Sequence, residues 1–93
     1  MNHWIVSFDD AAKMQEIRAG HFGAHLDYLT SHTEIFVDGA SLALPEGSPP
    51  CGGIWIVKSD NQEDVIALID GDPMYRSGHR KFKIYTTCKT FST

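Results

Sequence analysis

The histidines between positions 21 and 32 carry the clearest chemical signal in this sequence. At about 100° per residue of a helix, His21, His25 and His32 fall within about 40° of one another. They border the apolar side of that helix, where it would meet a sheet edge or a pocket. A histidine in that position is a natural general acid or base near neutral pH. For His25 this role and that of a partly exposed helix histidine without a role both stay open here, whereas for His21 and His32 the absence of a role is the simpler interpretation.

A histidine that moves protons needs a second group that fixes its tautomer, and Asp72 is the best candidate. Asp72 precedes Pro73 at a junction between a helix and a turn, where local hydrogen bonds hold a side chain. The alternative is that Asp72 only caps the turn at 73–78. Capping does not exclude a second role, so both interpretations stay open.

The histidine spacing also permits a metal site. His21 and His25 are one helical turn apart, as two zinc ligands on a helix would be. The glutamate that usually follows the first histidine is absent, because position 22 is Phe. A third ligand would have to come from a carboxylate or another histidine (His3, His32 or His79). We therefore predict no bound metal, and no residue pattern implies another cofactor.

Composition excludes several classes of partner. The formal net charge is −4, and four of the eight Lys and Arg residues (Arg76, Arg80, Lys81 and Lys83) cluster in a segment expected to be a solvated loop and strand face. A nucleic-acid ligand is not expected, because its phosphates require a basic surface. No apolar run is long enough to span a membrane, and no secretory leader is recognisable. We expect a cytoplasmic protein in which Cys51 and Cys88 are free thiols.

Hydrophobic periodicity predicts a strand and a helix in the first part of the chain. Residues 3–8 predict a strand, and Asp9 and Asp10 predict the N-cap of a helix over 10–31. A break in that helix is expected near Gly20 and Gly23. Its core-facing stripe is predicted to be Phe22, Leu26 and Leu29.

The second half predicts two strands, a helix, a turn and a last strand. The strands cover 34–44, with a bulge or bend at Gly39, and 54–58, which is apolar enough to be central. The loop between them, 45–53, is rich in Pro and Gly. A capping box at 60–63 opens a helix that buries Val65, Leu68 and Ile69 and stops at Gly71, before the turn at 73–78 and a strand over 81–88.

The order β-α-β-β-α-β predicts an α+β fold of the ferredoxin-like type, with an antiparallel sheet and both helices on one face. A chain of 93 residues is one domain, 1–93. The uncovered sheet face still carries apolar side chains, and such a face usually marks a partner surface. We therefore expect a homodimer formed through the sheet faces, as a dimeric α+β barrel-type assembly.

Four segments together resemble the YCII-related (YciI-like) family. Residues 18–29 resemble its "R…AHL..L" helix, and 38–41 its "aGP" strand end. Residues 53–57 resemble its glycine-led central strand, and 70–78 its "DPy…g" turn. They occur in the family's order and cover nearly the whole chain. Two positions depart from the pattern: Phe22 stands where the family often has Arg, and Ala40 where it has Pro.

This resemblance implies a dimeric ferredoxin-like fold with a small pocket in which the helix histidine and the turn aspartate, His25 and Asp72, face each other. It also implies enzymes of a lyase or dehydrochlorinase type without an assigned substrate. Around the pair we predict substrate-binding side chains at Trp4, Arg18, His21, Phe22, Tyr28 and Tyr75. Trp4 and Trp55 are otherwise core residues, one of which could floor a pocket.

Two functions follow from these expectations. The first is an enzyme in which His25, oriented by Asp72, abstracts a proton next to a carbonyl of a small molecule, leading to elimination or isomerisation. The second is a binding or interaction module on the same scaffold, in which the pair is only a structural hydrogen bond. Fold alone does not choose between them.

Overall fold

A computed structural model describes residues 2–87, and its elements follow the predicted order β-α-β-β-α-β. In chain order they are β1 (Asn2–Asp10), α1 (Met14–Thr30), β2 (Phe36–Leu42), β3 (Gly52–Ser59), α2 (Gln62–Gly71), a short 3₁₀ turn (Tyr75–Ser77) and β4 (Arg80–Thr86).

The four strands form one antiparallel sheet in the order β2-β3-β1-β4, so the apolar strand β3 lies inside the sheet as predicted. Alternate side chains of β1 and β3 point to the same face, where both helices cover them. The core cluster there consists of Trp4, Val6, Phe8, Leu29, Trp55, Val57, Val65, Leu68 and Ile69. This is the predicted ferredoxin-like α+β arrangement.

Helix α1 differs from the sequence prediction at its start and in its middle. Asp9 and Asp10 end β1 instead of capping the helix, and Lys13 stands at the N-cap without a side-chain hydrogen bond. The helix runs unbroken through Gly20 and Gly23, both of which are exposed. Glycine costs an exposed helix position only about 1 kcal/mol relative to alanine, so the predicted break was wrong.

The predicted apolar stripe of α1 was also wrong in part. Leu29 is buried, but Phe22 and Leu26 are 41% and 45% exposed. The buried face of the helix instead contains Met14 and the polar His25. Polarity along α1 therefore does not report which side faces the sheet, because the polar His25 occupies part of that side.

Smaller differences concern the ends of elements. The irregularity in β2 lies between Phe36 and Asp38, before Gly39. The side chain of Asn61, one residue after the predicted cap, caps α2 by accepting a hydrogen bond from Asp64 N at 2.9 Å. The predicted buried residues of α2 are confirmed. Cys88 lies outside the residues described.

No helix within residues 2–87 has the length and apolar character needed to cross a membrane.

Candidate active site

A cavity of about 270 Å³ lies between α1 and the half of the sheet formed by β2 and β3. Its walls are apolar at Phe22, Leu26, Leu29, Phe36 and Trp55, and polar at Arg18, His25, Thr30, Asp38, Ser41 and Arg80. Ligand pockets commonly begin at about 300 Å³, so this one suits a molecule of about one ring.

His25 and Asp72 meet at the wall of this cavity. The imidazole Nδ1 lies 2.7 Å from Asp72 Oδ1. An ionised carboxylate only accepts hydrogen bonds, so Nδ1 carries the proton and donates it. The lone pair is then left on Nε2, for which the described part of the chain provides no partner. Because His25 lines the cavity, that nitrogen is available to a bound molecule.

Asp72 is held rigidly at the end of α2. Its side chain is fully buried, and Oδ1 also accepts a hydrogen bond from Met74 N at 3.1 Å. Asp72 therefore caps the following turn and orients His25 with the same oxygen. The other oxygen, Oδ2, is buried with no partner among the described residues. The negative charge of this buried carboxylate can stabilise an imidazolium that forms when Nε2 accepts a proton.

Tyr28 ties α1 to the same end of α2. Its hydroxyl donates a 2.7 Å hydrogen bond to the carbonyl oxygen of Leu68. The hydroxyl also lies over Gly71, where an added Cβ would collide with it. Burial, and then the negative charges of Asp72 and Asp70, raise the pKa of Tyr28 above its usual 10.0. Tyr28 therefore stays a neutral donor at all physiological pH values.

A second polar group consists of Arg18, Asp10 and Arg80. Asp10 Oδ1 accepts a hydrogen bond from Arg80 Nε at 2.6 Å, and Oδ2 accepts from Arg80 Nη2 at 3.2 Å and from Arg18 Nη1 at 3.3 Å. The Asp10 side chain is only 1% exposed and that of Arg80 only 2%. Arg18 also donates a hydrogen bond to Ser41 Oγ. One buried carboxylate thus holds two guanidinium groups at the cavity wall.

The sheet register builds this arginine group. Asp10 is the last residue of β1 and pairs with Arg80, the first residue of β4. Arg18 is one turn into α1, so its side chain returns toward the strand that precedes the helix. Arg80 was predicted to be solvated, which was wrong, whereas Arg76, Lys81 and Lys83 are exposed. Pairing β1 with β4 in the predicted fold would have placed Arg80 beside Asp10.

The candidate substrate-binding residues divide into two sets. Arg18 and Phe22 line the cavity together with His25, and Trp55 is the tryptophan that forms part of its wall. Trp55 lies beside the imidazole, with ring centroids 6.1 Å apart and an angle of 30° between the planes.

The other four candidates lie outside the residues that line this cavity: Trp4 donates to Ser59 O, the His21 ring contacts Ile17 O, Tyr28 holds Leu68 O, and Tyr75 packs on Phe82. Residues 2–87 contain no group of three or more His, Cys, Asp and Glu side chains placed to share a metal ion.

Comparison with known proteins places the chain in a family. The YCII-related domain matches residues 1–87. The chain belongs to the YCII-related domain family. No curated protein sequence matches this YCII-related domain significantly.

Two solved structures are similar to the chain to different degrees. One is 5-chloro-2-hydroxyhydroquinone dehydrochlorinase from Burkholderia phenoliruptrix AC1100 in complex with 2,5-dihydroxybenzoquinone. It superposes with a TM-score of 0.78 and 18% identity over 89% of this chain and 90% of that chain. The other is an uncharacterized NIPSNAP domain protein from Burkholderia xenovorans, with a TM-score of 0.48 and 8% identity over the full length of both chains. The first likeness supports the fold of this YCII-related domain.

Proposed function

We propose that this YCII-related domain is an enzyme that abstracts a proton next to a carbonyl group of a small organic molecule, with His25 as the base and Asp72 as the residue that orients it. The observation that carries the proposal is the 2.7 Å contact between His25 Nδ1 and the buried Asp72 carboxylate at the wall of a cavity. With Nδ1 held by Asp72, Nε2 would be the nitrogen that accepts a proton from a substrate in the cavity.

The proposed reaction begins with transfer of a proton from the substrate to His25. Nε2 of His25 takes a proton from the carbon next to the carbonyl, and the electron pair of that C–H bond moves onto the carbonyl oxygen as an enolate. The resulting imidazolium is stabilised by the buried negative charge of Asp72. The enolate then expels a leaving group from the adjacent carbon, which is elimination, or regains a proton from His25 elsewhere, which is isomerisation.

Arg18 is the group best placed to stabilise the enolate oxygen. Hydrogen bonds to Asp10 and Ser41 fix its guanidinium at the cavity wall before substrate arrives. A positioned cation acts where the negative charge develops and needs no rearrangement during the step. Trp55 and Phe36 form an apolar wall suited to a flat, partly unsaturated substrate.

One solved structure with the same fold supports this proposal. The dehydrochlorinase that shares the fold acts on a hydroxylated ring, and its structure holds 2,5-dihydroxybenzoquinone. A dehydrochlorination is an elimination in which a proton and a chloride leave. We therefore extend elimination from a small ring or carbonyl compound to this chain.

Proton abstraction can be tested before the natural substrate is known. Small ketones, 2-oxo acids and dihydroxyquinones are incubated with the protein in D₂O, and loss of the proton signal next to the carbonyl is followed by NMR. We expect exchange above the buffer rate for at least one compound. His25→Gln should slow it by about 10²-fold or more, since one placed proton-transfer group contributes about 10² to 10⁴.

The matched control is His3→Gln, because His3 is an exposed histidine on β1 away from the cavity. It should leave exchange unchanged. Exchange that is equal in wild type and His25→Gln would sink the enzymatic proposal. Ligands that bind without exchange would favour the alternative function, a binding module.

We further propose that two copies of the chain associate through the outer faces of their sheets. Ile5, Ile54, Ile56 and Tyr85 point away from the helices, and register places Ile5 opposite both Ile56 and Tyr85. No other element described in the chain covers them. A second copy would bury this apolar patch, which water otherwise contacts.

Light scattering on a sizing column tests the dimer. We expect a mass of twice the 10.4 kDa of one chain for wild type. Ile56→Glu should shift the mass toward that of one chain, whereas Gln15→Glu, which adds the same charge on exposed α1, should not. A wild-type protein that elutes at the mass of one chain at micromolar concentration would contradict the dimer.

A further inference from the structure

The two charged groups of the cavity have opposite signs, and Arg80 decides the sign of one of them. Arg18 and Asp10 alone would cancel. Arg80 adds a second guanidinium, so the group of Arg18, Asp10 and Arg80 carries a net charge of +1. At the other end, Asp72 carries an uncompensated negative charge while His25 is neutral.

Arg80 is built into the cavity wall rather than extended into solvent. Its guanidinium carbon lies 4.5 Å from the centre of the Phe8 ring, and the ring face attracts a cation. Nη2 lies against Gly53, where even a Cβ would approach to 3.2 Å. The absence of a side chain at Gly53 therefore leaves the space that this guanidinium occupies.

Part of the Arg80 guanidinium has no partner among residues 2–87. Nε and Nη2 bind Asp10, and the described residues offer no acceptor to Nη1. Nη1 is also not among the fully enclosed polar atoms that lack a partner. Because Arg80 lines the cavity, we infer that Nη1 can donate to a bound molecule.

We propose that Arg80 makes the cavity selective for a small anion, namely a substrate whose carboxylate, or an equally acidic oxygen, is held by Arg80 beside Arg18. This inference rests on the proposed function, in which the reacting carbon of the substrate lies at His25. It adds that the substrate carries a negative charge. The positive end attracts the acid group, and the negative end repels it. The proton-bearing carbon is thereby directed toward His25.

One other charge faces the cavity. Asp38 lines the wall, but it is exposed, and its Oδ1 accepts a hydrogen bond from Gly39 N. Solvent and salt screen an exposed charge more strongly than a buried one. Without Arg80, Arg18 and Asp10 would cancel, and no end of the cavity would carry a net positive charge to attract an anion. A single residue thus sets which class of substrate can enter.

Matched pairs of ligands test the selectivity. Benzoate and benzamide have nearly the same shape and differ by one negative charge, and pyruvate and pyruvamide form a second pair. Binding is measured by calorimetry or by NMR shifts at low salt. We expect wild type to bind at least one carboxylate about tenfold or more tightly than its amide, the range for hydrogen bonds to charged groups.

Three variants separate charge from shape. Arg80→Gln should reduce the ratio of carboxylate to amide affinity to near one. Arg80→Lys, which keeps the charge, should retain most of the preference. Lys81→Gln removes the same charge from an exposed neighbouring position and should leave the ratio unchanged.

If Arg80→Gln does not fold, the wild-type ratio of carboxylate affinity to amide affinity still tests the proposal. The expected fall of this ratio as salt is added tests it as well. No carboxylate bound more tightly than its amide, or a preference that survives in folded Arg80→Gln, would overturn it. His25→Gln keeps this failure distinct from that of the proposed function. That variant should lose proton exchange and still prefer carboxylates.

Discussion

Two aspartates with buried side chains hold residues of the cavity wall, and they are satisfied in opposite ways. Asp10 receives three hydrogen bonds from two arginines, and both of its oxygens are paired. Asp72 receives hydrogen bonds from His25 and Met74 N through one oxygen only, and the other oxygen has no partner among residues 2–87.

This difference indicates different tasks. A carboxylate with both oxygens paired to guanidinium groups is a structural centre that fixes the positions of its partners. A buried carboxylate with an unsatisfied oxygen is costly for folding, and a functional role is one explanation for it. We infer that Asp10 positions Arg18 and Arg80, whereas Asp72 acts through the charge of His25.

The largest expected effect is the loss of activity in Asp72→Asn. The carbonyl oxygen of Asn can still accept from His25 Nδ1 and Met74 N, but the negative charge that stabilises the imidazolium formed by proton abstraction is lost. We expect proton exchange to fall by about 10²- to 10⁴-fold, the range for a positioned proton-transfer group. The NMR exchange measurement checks it, and the urea midpoint should be nearly unchanged, because an incompletely satisfied buried charge is removed. Activity close to wild type would remove the distinction between the two aspartates.

The next effect is the loss of stability in Asp10→Asn. Arg80 and Arg18 would lose their counter-charge while 2% and 12% exposed, and breaking a buried ion pair on one side costs about 3 to 5 kcal/mol. The measurement is the free energy of unfolding in urea. The comparison requires Asp10→Asn to lose more stability than Asp72→Asn. The reverse order would show that the arginine group is not the structural centre.

The sequence predicted the Asp72 side of the cavity better than the Asp10 side. The contact between His25 and Asp72 was predictable from residue type, local position and resemblance to the family. Asp10 looked like a helix cap because helices often begin after acidic residues. Its partner Arg80 is 70 residues away, so only the pairing of β1 with β4 reveals the contact.

The order of elements was predictable because each carries its own periodicity, as in the continuous apolar run of β3. The burial of α1 was not predictable in the same way. Phe22 and Leu26 look like core residues but stand half-exposed at the cavity, and His25 occupies the buried side. Hydrophobic patterning fails there because the cavity replaces part of the core. The cytoplasmic location stays a prediction.

The smallest expected effect uses Tyr28 to report the charge of each aspartate. Burial, followed by the charges of Asp72 and Asp70, raises the pKa of Tyr28. Between the usual value of 10.0 and the raised pKa, Tyr28 stays protonated in the folded chain and ionises in the unfolded chain. Protons therefore favour the folded state, and this part of the stability is present below pH 10.0 and lost as the pH rises through the folded pKa.

Absorbance of tyrosinate, with Tyr28→Phe subtracted to isolate this residue, follows the ionisation. In Asp72→Asn the pKa of Tyr28 should move down toward 10.0, because one of the two charges that raise it is gone. In Asp10→Asn it should stay where it is in wild type, because Asp10 is not among the causes of the shift. Equal responses to the two substitutions would mean that Tyr28 senses loosening of the fold rather than the charge of Asp72. A response to Asp72→Asn alone would place the uncompensated negative charge beside His25, where the proposed proton transfer requires it.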